Sequence, residues 1–185
     1  ERATFSRAVS GSNSSLRWYI RARPRRASSC GLRSVTSSPP SQTWPDVGRI
    51  SPVKHYETII NACAILKNTW DRSFTLSIVG GPLRAGDREY LERLRALVAG
   101  KGLSAHIRFG GERPFSEIPD ILRAHDLFLS VSRTGSLDKV VLEAMACGLT
   151  VLTSNDAYRT ILPPPYFLEK VGPEAVQRRG EYVIH

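Results

Sequence analysis

Residues 126–153 constrain the fold of this chain more than any other stretch. An apolar run at 126–131 is typical of a buried strand. After a polar loop, apolar residues at helical spacing predict a helix over 137–147, for which Gly148 is a natural C-terminal stop. A second apolar run follows at once, at 149–153. This order of strand, loop, helix and strand predicts a βαβ unit.

The same alternation of elements extends upstream of this unit. We predict a strand end at 47–50, a helix at 55–68, a strand at 74–79, a helix at 87–100, a strand at 106–109 and a helix at 114–125. Downstream, the pattern weakens to a short edge strand at 166–168 and a helix at 173–179, with no closing helix apparent. The predicted fold class is therefore α/β, with a Rossmann-like parallel sheet and helices on both of its faces.

Ligands of open α/β sheets bind at the carboxyl ends of the strands, against helix N-termini. Arg49 and Lys54 lie at such a place, and two cations there suit a diphosphate; a solvated surface pair is the alternative. Gly80 and Gly81 follow the strand at 74–79, where they either let a ligand approach the backbone or form a plain turn. The dinucleotide pattern Gly-x-Gly-x-x-Gly is absent from the chain.

The net charge of +9 is unevenly distributed along the chain. Residues 1–45 hold eight arginines and one acidic residue, which gives +7. Residues 46–185 hold 18 basic and 16 acidic residues, which gives only +2. A nearly neutral domain gives no support for a nucleic-acid-binding face, so we predict no nucleic-acid partner.

Residues 1–45 are rich in Arg and Ser, and 37–45 have the composition of a Pro/Ser linker. A segment without an apolar period cannot bury enough surface to offset its ordering entropy. We predict a disordered basic segment here. One alternative is an arm that binds nucleic acid or an anionic membrane, and another is that the segment is not native coding sequence. The folded domain is expected at 46–185, with its own C-terminus truncated.

The three cysteines and four histidines show no metal-ligand spacing, no disulfide framework and no pairing with a nucleophile. Free cysteines on helical patterns behave as small apolar residues, which is typical of a reduced, cytoplasmic chain. No apolar run has membrane-spanning length, and no apolar segment follows the N-terminal charges as in a signal peptide. We predict a cytoplasmic protein, with the inner face of the membrane as a further expectation.

Two motifs resemble those of retaining group 1 (family four) glycosyltransferases. That family carries Glu-x7-Glu followed by Ala-Met-Ala-x-Gly, and residues 143–148 here are Glu-Ala-Met-Ala-Cys-Gly. The family signature Val-Gly-Arg followed by Lys is present at 47–49 and Lys54. The first Glu of the family motif should stand at position 135, where this chain has Gly135 in the variant sequence Gly-Ser-Leu-Asp-Lys.

The resemblance implies the carboxyl-terminal, donor-binding half of a two-domain GT-B enzyme, and it assigns roles to residues. Arg49 and Lys54 would neutralise the diphosphate leaving group. Glu143 would bind the ribose hydroxyls, and these three are the predicted catalytic residues. Asp138 or Lys139 would stand in for the missing glutamate. The predicted donor-binding residues lie in loops at strand ends: Gly48, Gly80, Gly81, Gly111, Glu112, Thr134, Gly135, Ser136, Leu137, Asp138 and Lys139.

The resemblance also implies partners and a reaction. The donor would be a nucleotide diphosphate sugar, transferred with retention of anomeric configuration in polysaccharide or glycoconjugate biosynthesis, without a cofactor or a metal. The acceptor, a sugar or a lipid-linked molecule, would be bound mainly by a missing N-terminal domain, so the isolated chain is expected to be inactive. The alternatives are a non-catalytic nucleotide-binding remnant, a basic-arm interaction protein, and another GT-B enzyme such as a sugar-nucleotide epimerase.

Overall fold

The computed structural model describes residues 42–70, 72–169 and 172–184. For residues 179–184 only the backbone is described. The predicted disordered segment therefore lies outside the described residues, except for positions 42–45. No helix among the described residues is both long enough and apolar enough to cross a bilayer.

Strands and helices alternate along the described chain. The strands are β1 (Gln42–Val47), β2 (Phe74–Val79), β3 (Ile107–Gly111), β4 (Leu127–Ser130) and β5 (Thr150–Thr153). The helices are α1 (Tyr56–Thr69), α2 (Ala85–Gly100), α3 (Ile118–Arg123), α4 (Lys139–Ala146) and α5 (Pro173–Ile184). The predicted alternation of strands and helices is confirmed. It could be predicted because the apolar periodicity of each segment indicates which of its own residues are buried.

Every ladder between these strands is parallel: β1 pairs with β2, β2 with β3, and β4 with β5. Strands β1 and β4 lie side by side, and the backbone N–H of Asp126 donates to the Thr43 carbonyl at 2.9 Å. The spatial order is therefore β3-β2-β1-β4-β5, and Phe167 adds a single parallel bridge beyond β5 at Thr153. The carboxyl ends of these strands share one edge, which is where a ligand site is expected.

The two faces of the sheet bury separate hydrophobic cores. Side chains of α1, α2 and α5 pack on one face, around Trp44 and Leu76. Side chains of α3 and α4 pack on the other, around Phe128 and Val151. The predicted Rossmann-like fold, with helices on both faces, is confirmed.

The start of β1 corrects the predicted domain boundary. The strand begins at Gln42, four residues before position 46, inside the stretch predicted to be a linker. Composition was misleading here because one large side chain decides the outcome. Trp44 is buried, and its ring stacks on Phe74 at 5.2 Å and on Trp70 at 6.0 Å.

Other element boundaries also differ from the prediction: α3 is shorter, at Ile118–Arg123 instead of 114–125, and α2 begins at Ala85 instead of 87. Helix α5 begins at Pro173 as predicted but runs to Ile184 instead of ending near 179, and it packs against α1 with Val176 buried. Helix α4 begins at Lys139, not at Leu137, which leaves more of the preceding loop free. Gly111, predicted in a loop, is the last residue of β3.

Candidate functional site

Glycines at the carboxyl ends of three neighbouring strands meet at one edge of the sheet. The backbone N–H of Gly48 donates to the carbonyl of Val79 at 2.9 Å, and the backbone N–H of Gly80 donates to the carbonyl of Gly111 at 2.8 Å. Gly80 adopts a φ of 141° and packs so tightly that a Cβ atom on it would overlap the Gly48 carbonyl oxygen. Gly48, Gly80 and Gly111 are therefore joined through backbone hydrogen bonds, and at Gly80 only a residue without a side chain fits.

Gly81 and Glu112 continue this surface. The carbonyl of Gly81 accepts a hydrogen bond from the backbone N–H of Ile50 at 3.0 Å, which ties the loop after β2 to the loop after β1. The carboxyl group of Glu112 lies directly over Gly81, in the space that a Cβ atom would occupy. Glu112 is exposed, so its carboxylate is free to turn away when a ligand needs that space.

Lys54 and Asp138 form an ion pair across this edge, with Nζ and Oδ2 3.3 Å apart. Lys54 ends a 3-10 turn before α1, and Asp138 is the N-cap residue of α4. An aspartate at this position usually caps its helix, but the Asp138 side chain makes no capping hydrogen bond. Its carboxylate faces Lys54 instead, and both side chains are only slightly exposed, at 12% and 15%. The structure thus joins two predicted site residues that are far apart in sequence.

Two residues downstream of β5 hold the loop before α4 in place. The Asn155 side chain donates from Nδ2 to the carbonyl of Ser136 at 2.7 Å. The Tyr158 hydroxyl donates to the carbonyl of Asp138, also at 2.7 Å. Burial, followed by the charge of Asp138, raises the pKa of Tyr158 to about 12, so the hydroxyl stays a donor at neutral pH. The sequence did not single out either residue.

Asp46 is a buried carboxyl group beside this ion pair, and the sequence did not single it out either. Its Oδ1 accepts from the Tyr56 hydroxyl at 3.4 Å, while its Oδ2 has no hydrogen-bond partner among the described residues. Burial raises the pKa of Asp46 to about 7; the Lys54 charge and the Tyr56 hydrogen bond oppose the rise, and the Asp138 charge adds to it. Its position was a sequence signal for a functional role, because an acidic residue directly before Val-Gly-Arg interrupts a buried strand.

The raised pKa of Asp46 predicts a pH-dependent stability. The native chain keeps a proton on Asp46 between pH 4 and 7 that the unfolded chain has lost, so this contribution to stability is complete below pH 4 and falls as pH rises towards 7. We expect Asp46→Asn to remove a fall in the free energy of unfolding of about 4 kcal/mol, since the pKa rises from 3.8 to about 7 and each pKa unit is worth about 1.4 kcal/mol. Urea denaturation of both proteins at several pH values measures this. A wild type and a variant with parallel pH profiles would contradict it.

Arg49 and Glu143 take no part in the Lys54–Asp138 ion pair. Arg49 is exposed in the loop after β1, and it has no ion pair with any residue that the structure describes. Glu143 is half-buried on α4, and its carboxylate likewise has no hydrogen-bond or ion-pair partner within the described ranges. Both side chains are therefore available to a ligand. Their predicted roles stay predictions.

The remaining predicted residues form the rim of the edge. Thr134 and Ser136 are linked by two weak hydrogen bonds: the Thr134 hydroxyl donates to the Ser136 carbonyl, and the Ser136 hydroxyl donates to Thr134 Oγ1, both at 3.4 Å. The exposed members of this loop are Thr134, Gly135, Ser136, Leu137 and Lys139. Buried hydroxyls of Ser51, Ser132 and Ser154 lie at the same strand ends, without partners among the described residues. The edge therefore combines cations, free donors and exposed backbone, which together suit a phosphorylated, hydroxylated ligand.

Comparison with known proteins identifies glycosyltransferases as relatives of this chain. The family profile for glycosyl transferases group 1 matches residues 40–160. The D-inositol 3-phosphate glycosyltransferase of Jonesia denitrificans is 34% identical over 110 residues, which cover 58% of this chain and 26% of that protein. The enzyme of the same name from Corynebacterium jeikeium is 35% identical over 110 residues, covering 59% and 26%.

Solved structures share the fold. Anabaena HepE, in complex with UDP and glucose, superposes with a TM-score of 0.67 at 22% identity, covering 78% of this chain and 39% of that chain. The C-terminal domain of a group 1 glycosyl transferase (LpcC) from Francisella tularensis gives a TM-score of 0.65 at 21% identity, covering 78% and 75%. At these identities the likeness shows the fold alone.

The chain spans about a quarter of the length of the curated relatives that it matches. The profile match, in contrast, covers more than half of the chain and includes β1 to β5. The predicted resemblance is thereby confirmed, and the chain belongs to the group 1 glycosyl transferase family.

Proposed function

We propose that this chain is the donor-binding domain of a group 1 glycosyltransferase that transfers a sugar from a nucleotide diphosphate sugar with retention of anomeric configuration. Lys54 and Arg49 bind the diphosphate and stabilise its charge as the bond to the sugar breaks. Glu143 accepts hydrogen bonds from the ribose hydroxyls. The proposal involves no metal and no cofactor.

The position of Lys54 carries this proposal. Its ammonium lies at the carboxyl edge of the sheet, and a Cβ atom on Gly48 would be 3.8 Å from Nζ, so cation and exposed backbone are adjacent. The opening turn of α4 follows Asp138, so its backbone N–H groups lie near the same cation. A helix N-terminus beside a lysine is a favourable place for phosphate oxygens.

The named relatives suggest which ligands to test first. Anabaena HepE was solved in complex with UDP and with UDP-glucose, which makes UDP the first probe for this chain. The curated relatives are D-inositol 3-phosphate glycosyltransferases, which makes a phosphorylated polyol a reasonable first acceptor for the whole protein. Both assignments are proposals for this chain.

The acceptor and the remaining catalytic groups are proposed to come from a second domain that faces this edge. Alone, the chain leaves the edge open to water and is expected to transfer no sugar at a useful rate, because water is not excluded from the reacting groups. We place the whole enzyme in the cytoplasm, in peripheral contact with the membrane.

One observation favours a second candidate, a nucleotide-binding remnant without catalysis. Gly135 stands where the family motif has its first glutamate, and it lies exposed with open space around it. Asp138 does not fill the vacancy in the free chain, since its carboxylate is paired with Lys54. Sugar transfer by the whole protein, assayed with UDP-glucose, separates an enzyme from a remnant.

Glu143→Gln tests the proposed binding mode. Glutamine keeps the shape of the side chain but replaces one acceptor oxygen by a donor, so ribose hydroxyls lose a charged hydrogen bond of about 1.5–3 kcal/mol. We expect the affinity for UDP to fall about tenfold or more. Calorimetric titration with UDP, GDP and ADP on both proteins measures the effect and ranks the bases.

Glu89→Gln is the matched control, because Glu89 is an exposed carboxylate on α2, away from the proposed site. It should bind UDP as the wild type does. If Glu143→Gln binds the preferred diphosphate as tightly as both of these proteins, the ribose role is wrong. If none of the three diphosphates binds the wild type, the donor-binding function itself is wrong.

A further inference from the structure

We propose that a diphosphate binding at Lys54 brings a proton with it, and that Asp46 is the group that takes up this proton. The inference rests on the proposed function, which places a diphosphate at Lys54. It adds a positioning residue, which acts on the ligand only through the lysine. It also makes donor binding depend on pH in a way that the family assignment does not imply.

Lys54 forms an ion pair with Asp138. Tyr56, two residues after Lys54, donates a hydrogen bond to Asp46, and the Lys54 charge lowers the pKa of that second carboxyl group. Asp138 lies 3.3 Å from the ammonium, at the end of a loop that is exposed over residues 133–137. Asp46 lies in β1, with a side chain that is fully enclosed by its neighbours. An incoming anion can displace Asp138 into solvent, but it cannot displace Asp46.

Each charged or titratable group around Asp46 can be named from the element that carries it. Lys54 approaches from the 3-10 turn after β1, Asp138 from the loop before α4, and Tyr56 from α1. Behind Tyr56, the Tyr90 hydroxyl of α2 donates to Glu57 at 2.6 Å, so that carboxylate is already occupied. Lys54 is therefore the cation that lowers the pKa of Asp46.

A diphosphate changes this balance by engaging the same cation. Once phosphate oxygens bind Lys54, its positive charge stabilises an ionised Asp46 less. The phosphate charge also repels that carboxylate, because the protein interior screens charges poorly. The least costly response is protonation, in which a proton from solvent binds a carboxylate oxygen and neutralises it. Oδ2 is suited to this step because it has no hydrogen-bond partner within the described part of the chain.

The pKa of Asp46 places this exchange in an accessible pH range. With a pKa of about 7 in the free chain, Asp46 is mostly ionised at about pH 7.5. A bound diphosphate raises the pKa further, because it adds like charge nearby. An uptake of roughly half a proton per bound diphosphate is expected at that pH, and the affinity should decline as pH rises above it.

The experiment is calorimetric titration of the chain with UDP at about pH 7.5, in two buffers that differ in ionisation enthalpy. The difference in measured enthalpy gives the number of protons taken up. UDP has a titrating phosphate of its own, so Asp46→Asn is the essential comparison: it retains the ligand's contribution and removes that of Asp46. Asp120→Asn, an exposed carboxylate on α3, is the matched control and should behave as the wild type.

The expected result is that wild type and Asp120→Asn take up about half a proton more per UDP than Asp46→Asn does. Equal uptake by all three proteins, with UDP bound, overturns the inference and leaves the proposed function standing. Absence of UDP, GDP and ADP binding to the wild type overturns both.

A second measurement covers the case in which Asp46→Asn fails to fold. Carboxyl carbon NMR of the wild type follows the titration of the Asp46 side chain with and without saturating UDP. The inference requires the midpoint of that titration to move up by about one pH unit or more when UDP is bound. An unchanged or lowered midpoint overturns it.

Discussion

Gly80→Ala is expected to destabilise the chain by about 4 kcal/mol or more, which is enough to leave a large fraction of it unfolded. The φ of 141° at Gly80 lies in a region that residues with a side chain rarely adopt. The new Cβ atom would also overlap the carbonyl oxygen of Gly48. Because that obstacle is backbone tied to Val79 by a hydrogen bond, the loop after β1 would have to move.

Urea denaturation measures this effect, and Gly86→Ala provides the control. Gly86 lies in the first turn of α2, and a Cβ atom there would meet nothing within 4 Å. Alanine at that site should stabilise the chain by roughly 0.5–1 kcal/mol, because it restricts the unfolded state and favours a helix. A Gly80→Ala protein as stable as Gly86→Ala would show that the two loops are not in close contact.

Lys54→Met is expected to weaken UDP binding about a hundredfold, the largest effect on affinity of any single substitution considered. The variant loses charged hydrogen bonds to phosphate of about 1.5–3 kcal/mol each. It also leaves Asp138 and the buried Asp46 without their shared counterion, so the site becomes repulsive to anions. Calorimetric titration with UDP measures the loss, and uridine should be affected much less because it has no phosphate.

The double variant Lys54→Met/Asp138→Asn separates the two causes. If Lys54 contacts phosphate, removing the Asp138 charge recovers only part of the affinity, about tenfold. If Lys54 merely neutralises Asp138, the double variant should bind UDP as the wild type does, and the proposed phosphate contact is wrong. Asp138→Asn alone is expected to tighten UDP binding, since the lysine no longer has to leave a carboxylate.

The well-predicted elements are those in which a short run of sequence indicates by itself which residues are buried. Strand β2 was predicted at the residues it occupies, because Phe74–Val79 is apolar and bounded by polar and glycine residues. Strand β1 and helix α5 were placed poorly for the opposite reason. Trp44 is buried by rings from Trp70 and Phe74, and Val176 is buried against α1, so neither segment reveals its environment by itself.

The candidate site likewise has residues that the sequence predicted and contacts that it could not predict. Lys54 and Asp138 were chosen from motifs, but their contact joins residues 84 positions apart and could not be predicted from either motif. Asn155 and Tyr158 were missed because their role is to hold a loop 19 and 20 residues earlier in the chain. The polar sequence Ser-Asn-Asp-Ala-Tyr at 154–158 carried no sign that two of its side chains turn back towards α4.

The sequence by itself determined the order and type of the elements, the parallel sheet and the family, because periodicity and motifs are local properties of the chain. The tertiary structure alone decided which polar groups share the carboxyl edge, that Lys54 pairs with Asp138, and that its charge acts on Asp46. It also decided that Asp46 titrates near neutral pH. The physical reason is that desolvation and ion pairing depend on atoms that are distant in sequence and meet only when the sheet has formed.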